Sequence, residues 1–192
     1  MIRVVAAMGR RPRALLLAAA SVALLSLPAG NGTAAEIALG YSGLQADGSL
    51  THGGGLGFAS PRGGGRLRLL AEVSAQSGGA AGGERLRELG LLAGAALAPW
   101  PGGRLSPFVS LKAGLVSAQR SVTVFGVSIG ADGVCDGGCP YRTGPAAEVG
   151  GGLDLRVGGR WAVRLAQADY RVTRIAGETD HAVRLSAGIV RR

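Results

Sequence analysis

Apolar side chains recur at every second position through most of the chain beyond residue 36. In the last quarter, Val149, Leu153, Leu155 and Val157 take odd positions while Glu148, Asp154 and Arg156 take even ones. Gly158-Gly159 interrupts the pattern and Trp161-Ala162-Val163-Arg164-Leu165 resumes it. After a polar stretch at 171–180, Val183, Leu185, Ala187 and Ile189 alternate with Arg184, Ser186 and Gly188. A strand shows its side chains to opposite faces in turn, so period two carried through strand, turn and strand predicts an antiparallel meander.

Five earlier segments repeat the pattern, at 37–44, 53–60, 66–75, 88–98 and 107–118, which brings the predicted strands to eight. Their connections differ in length. Those at 61–65, 99–104 and 157–160 are short, and those at 45–52, 76–84, 119–144 and 171–180 are longer. An even number of strands joined by alternately short and long connections is the pattern of an up-and-down transmembrane barrel. Closure also removes the unpaired edges that lipid could not satisfy. The competing reading is a soluble, secreted or periplasmic eight-stranded barrel holding a ligand.

The polar faces separate the two readings. A water-facing strand surface would be dense in Lys, Glu and Thr, whereas here Gly, Ala and Ser predominate. Charges are sparse and of both signs: Arg68, Glu72, Glu88, Lys112, Glu148, Asp154, Arg156, Arg164 and Arg184. That set suits a narrow lumen in which the charges pair, with the Leu/Val/Ile stripe facing lipid. Trp100 and Trp161 fall beside short turns, where interfacial aromatics belong, and Tyr41 and Tyr170 approach the opposite rim. Gln167 and Asp169 share parity with lipid-facing Leu165. Either a bulge re-aims them or the strand has already risen above the hydrocarbon; the second is favoured for Asp169, and Gln167 stays open.

Composition changes the picture in three places. Gly reaches 35 residues without a collagen-like period, in keeping with small side chains along one face of many strands. The net charge of +9 includes four arginines (Arg3, Arg10, Arg11 and Arg13) that precede an apolar run at 14–27. With Thr33-Ala34-Ala35 beyond it, that segment reads as a cleaved secretory leader over 1–35, followed by one barrel domain over 36–192. No basic run or aromatic-interleaved basic motif remains in the rest, so nucleic acid is not an expected partner. Cys135 and Cys139 are the only cysteines; a secreted chain favours a short disulfide between them over a metal site or free thiols.

As a pattern the whole of 36–192 resembles the small OmpA/OmpX-type outer-membrane β-barrel proteins. The likeness is most specific at Gly150-Gly151-Gly152-Leu153-Asp154-Leu155-Arg156, at 162–170 and at Arg184-Leu185-Ser186-Ala187-Gly188-Ile189-Val190. The chain ends Val190-Arg191-Arg192, where family members commonly carry a terminal aromatic that the insertion machinery reads. The resemblance implies an all-β, eight-stranded barrel in the outer membrane of a Gram-negative-type bacterium, assembled by periplasmic chaperones and the barrel-assembly machinery. It implies no single activity, because the fold hosts many roles.

Three expectations follow for chemistry. An eight-stranded barrel is filled by its own side chains, so the nine inward charges form an ion-pair network rather than a wide pore. Arg85, Arg87, Arg120, Arg142, Arg171 and Arg174 gather at strand ends on the long-connection side, where lipopolysaccharide phosphates would sit. The 119–144 loop with its cysteine pair is the candidate contact for a host or surface ligand. The alternative is an enzyme acting on lipid A, using Asp180-His181 with Ser42 or Thr51 across the first and last strands; an exposed rim histidine is the preferred reading, and neither catalysis nor a cofactor is expected.

Overall fold

In the computed structural model, residues 35–46, 49–79, 84–124, 127–130, 133–135 and 139–192 are described; the leader predicted at 1–35 lies outside them but for its last residue. Ten strands form one antiparallel sheet: β1 Glu36–Ala46, β2 Ser49–Arg62, β3 Leu67–Gly79, β4 Glu84–Leu97, β5 Leu105–Val124, β6 Val127–Gly130, β7 Gly133–Val134, β8 Arg142–Gly158, β9 Trp161–Ile175 and β10 Glu178–Arg191. Each barrel strand pairs with its sequence neighbour, β5 pairs with β8, and β1 pairs with β10 from Ile37↔Arg191 to Ala46↔Ala182. β4–β5 pairing completes the ring, so eight strands close, while β6 and β7 continue only from the far end of β5.

The alternation carries through to the two sides of the wall. Leu39, Val109, Leu111 and Leu185 are 60–65 % exposed. Arg68, Lys112, Glu148, Asp154 and Arg184 are at most 3 % exposed. A water-soluble barrel would bury the first set and wet the second. This one does the reverse, and its large apolar exterior needs a non-aqueous surround.

The strands are longer than the hydrophobic pattern predicts. The connection expected at 171–180 is a two-residue turn, Ala176-Gly177, with β9 running to Ile175 and β10 starting at Glu178. Both turn residues have positive φ (55° and 90°), the hairpin geometry whose twist matches that of the flanking strands. Polar side chains conceal such continuation, because a strand that has left the hydrocarbon keeps its hydrogen bonds but not its oily face.

Glycine on the inner face answers to curvature. A Cβ at Gly94 would lie 2.0 Å from the Leu111 carbonyl oxygen, and one at Gly114 would lie 2.1 Å from that of Leu91. The β4–β5 pair therefore bends inward as tightly as only a bare backbone permits.

Candidate functional site: the charged lumen and the long-loop rim

Among the described residues, inward positions on seven of the strands and Arg192, just past the end of β10, bring twelve charged side chains to the lumen, in two clusters. The cluster nearer the long connections centres on Glu148, which accepts from Lys112 Nζ (2.7 Å), Arg171 Nε (2.5 Å) and Arg184 Nη2 (3.0 Å). Lys112 also meets Glu72 at 2.8 Å, Arg184 meets Asp169 at 3.0 Å, and Arg171 and Arg184 further pair with Glu88 and Glu72. The cluster nearer the short turns centres on Asp154, which accepts from Arg164 Nε (2.9 Å), Arg192 Nη2 (3.0 Å) and Arg68 Nη1 (3.5 Å), while Glu36 takes Arg68 at 3.4 Å and Arg192 at 3.1 Å. Gln167 joins the two by accepting from Arg164 Nη1 (2.9 Å) and donating to Asp169 Oδ2 (2.7 Å). The first cluster holds three cations against four anions and the second three against two. Six charges of each sign therefore cancel across the lumen, as a low-dielectric interior requires.

Two sequence-based assignments change sides. Arg171, expected at the lipopolysaccharide-facing rim, is 1 % exposed and lies inside, between Glu88 and Glu148. Arg156, expected inside, is exposed at the short-turn end, where it donates to the Pro101 carbonyl at 3.4 Å. Asp169 faces the lumen, and it and Gln167 are re-aimed by a bulge, the first of the two readings offered for them. Leu153 faces Ala166 and Asp154 faces Arg164, so Leu165 is the extra residue, and Leu165 and Ala166 both point out. Beyond the bulge the inward parity of β9 switches from Ala162 and Arg164 to Gln167, Asp169, Arg171 and Thr173. The signal was present, since those four polar residues recur at period two, out of phase with Arg164. Glu36 and Arg192 were also missed, because a strand end gives no alternation to read.

At the rim, Arg85, Arg87 and Arg174 are exposed, and Arg120 is held by Asp180 at 3.0 Å. Arg142, half-buried at the start of β8, lines a cavity of about 100 Å³ with Arg120, Cys139 and Glu178. Cys135 and Cys139 are joined by a disulfide with Cα atoms 4.9 Å apart, which packs under the β6–β7 hairpin at Gly130. Tyr41 stacks on His52 and Tyr170 on His181, on the outer face, and the Tyr170 hydroxyl lies 2.7 Å from His181 Nδ1. Trp161 to Tyr170 spans nine residues, about 30 Å along a strand and roughly 23 Å across a bilayer at barrel tilt, close to the height of an apolar belt.

The proposed catalytic constellation does not assemble. Ser42 and Thr51 face the lumen, where Gln76 donates to Ser42 and Thr51 donates to Gln76, whereas His181 faces out beside Tyr170. The barrel wall separates nucleophile from base.

No described protein family and no curated protein sequence matches the chain. Solved structures do. Neisserial surface protein A is similar at a TM-score of 0.52 and 14 % identity, over 82 % of this chain and 94 % of its own. Ail, the attachment invasion locus protein of Yersinia pestis, gives 0.47 and 17 % over 81 % and 95 %, and the N-terminal barrel of Pseudomonas aeruginosa OprF gives 0.46 and 15 % over 81 % and 96 %. The chain has the fold of the small OmpA/OmpX-type outer-membrane β-barrels, a closed eight-stranded barrel with its oily face turned outward and its charges held inside.

Proposed function

We propose that the protein is a small outer-membrane barrel with a structural and surface-interaction role, in which the filled barrel is the mount and the long-connection end is the contact. One observation carries this reading. The lumen is crossed by paired side chains, while β5 continues past its last pairing with β8 at Ala118 into a β6–β7 hairpin beside a disulfide. Exposed Val134 (72 %) and Ile129 (38 %) offer that hairpin an apolar contact surface, and Arg85, Arg87 and Arg174 offer phosphate-binding groups beside it for lipopolysaccharide. Ail, whose name records attachment and invasion, supplies an analogy for adhesion.

Deleting residues 121–141 should leave a barrel that still migrates aberrantly on gels unless boiled, but with cell-surface adhesion reduced to that of a null strain. Adhesion at wild-type level by that folded variant would remove the contact role. No catalytic step belongs to this reading. Lipid A from wild-type and His181→Ala strains should have identical acyl patterns by mass spectrometry, and an acyl change would restore the enzyme alternative.

A further inference from the structure

The short-turn end carries a ring of arginines that the proposed function does not use. Arg62 and Arg66 flank the β2–β3 turn, Arg104 precedes β5, Arg156 and Arg160 bracket the β8–β9 turn, and Arg191 ends β10. All but half-buried Arg62 are exposed. Backbone bonds knit these turns together: Ala98 N donates to Arg66 O (2.7 Å), Arg156 N to Arg104 O (2.8 Å) and Arg192 N to Arg160 O (2.7 Å). Among the described residues the acids at this end are Glu36 and Asp154, 7 % and 0 % exposed, and Arg68, Arg164 and Arg192 engage both within the lumen. Six arginines thus gather at this end with no exposed side-chain carboxylate among the described residues beside them. The opposite rim differs, because there Asp180 holds Arg120 and Glu178 is exposed.

The ring also holds both tryptophans of the chain. Trp100 is 66 % exposed and Trp161 50 %, and the Arg191 guanidinium lies 6.0 Å from the centre of the Trp161 ring. The apolar belt begins directly beside it, with Ile37 paired to Arg191 and Leu67 to Leu97.

We infer that this collar selects anionic phospholipid, its guanidinium groups binding headgroup phosphodiesters while the same lipids' acyl chains lie on the adjoining belt. The guanidinium fork matches two phosphate oxygens at once, and its long stem can lie along hydrocarbon while the charge reaches the headgroup. Tryptophan at the same level marks the interface, and clustered arginine concentrates anionic lipid beside it. A free phosphate would satisfy the guanidinium groups but has nothing to lay on Ile37 or Leu67. The inference rests on the reading of the apolar belt as the lipid-facing surface.

Because Trp100 and Trp161 are the only tryptophans, their fluorescence reports on the collar alone. Refolded full-length protein would be placed in phosphatidylcholine–phosphatidylglycerol vesicles with both leaflets alike, which removes any dependence on orientation. Either lipid would be brominated at the same minor fraction. Quenching by brominated phosphatidylglycerol should exceed that by brominated phosphatidylcholine about threefold at low ionic strength. The preference should shrink in about 1 M NaCl, where the screening length falls to roughly 3 Å. It should vanish in R62Q/R160Q/R191Q and persist in R85Q/R174Q at the other rim. Equal quenching by the two lipids, or a preference that survives the triple substitution, overturns the inference and leaves the membrane reading standing. No quenching by either lipid overturns the membrane reading itself. Should the triple variant not insert, the wild-type ratio and its salt dependence decide.

Discussion

Replacing Glu148 with alanine is expected to destabilise the barrel by about 3–5 kcal/mol, the largest loss of any single charge in the lumen. Glu148 is 1 % exposed and is the shared acceptor of Lys112, Arg171 and Arg184. Without it, three buried cations keep only Glu72, Glu88 and Asp169. The cost comes from stranding charge in a low-dielectric interior, not from losing a favourable contact. The same physics makes each pair weak evidence of stability while it is intact. Urea unfolding in vesicles would measure it, with Arg85→Ala as the exposed comparison, for which a change within about 0.5 kcal/mol is expected. If Glu148→Ala and Arg164→Ala both unfold at the wild-type urea midpoint, the lumen charges pair only locally and the network has no cooperative value.

Leu111→Arg carries the second large effect and tests the outer face of the neighbouring strand, β5. Leu111 is 64 % exposed and lies between Ala95 and Val149, midway along the part of β5 that pairs with β8. On a water-facing surface an arginine there would be nearly neutral. At the midplane of a bilayer it should cost about 2–4 kcal/mol, falling to about 0–1 kcal/mol near the interface. Leu105→Arg, six residues closer to the short turns and beside Arg104, supplies the shallow comparison. A depth-dependent loss between the two variants in vesicles is the expected result. Equal and small effects would mean that the stripe does not face acyl chains.

On β5 the adjacent residues Leu111 and Lys112 differ only in parity, one exposed on the outer face and one buried inside. That is why the wall was readable from residue types alone: the pleat forces adjacent side chains to opposite faces, and hydrophobicity then says which face meets lipid. The strand ends were less readable. β9 and β10 run on through Arg171, Thr173, Thr179 and Asp180, whose polarity imitates a loop while their backbone stays paired. Arg171 shows the consequence. Read as loop it belonged to the rim, but one extra residue at Leu165 reverses the parity of everything after it and delivers the side chain to Glu148 and Glu88. Arg156 moved the other way, because at the last turn of the wall an inward position opens into solvent.

Alternation alone determined the number of barrel strands, their antiparallel order, the oily exterior and most of the lumen charges, because period two is a local property of the backbone and each residue carries its own preference for water or lipid. The pairing of those charges was decided only in three dimensions. Arg184 and Glu72 stand far apart in sequence and meet because β10 closes on β1, and Asp154 gathers Arg68 from β3, Arg164 from β9 and Arg192 from beyond β10. The β-bulge was decided there as well, since an inserted residue takes its meaning from the register of the strands on either side. The arginine collar belongs to the same class, because three separate turns and a strand end become one charged ring only when the sheet is closed.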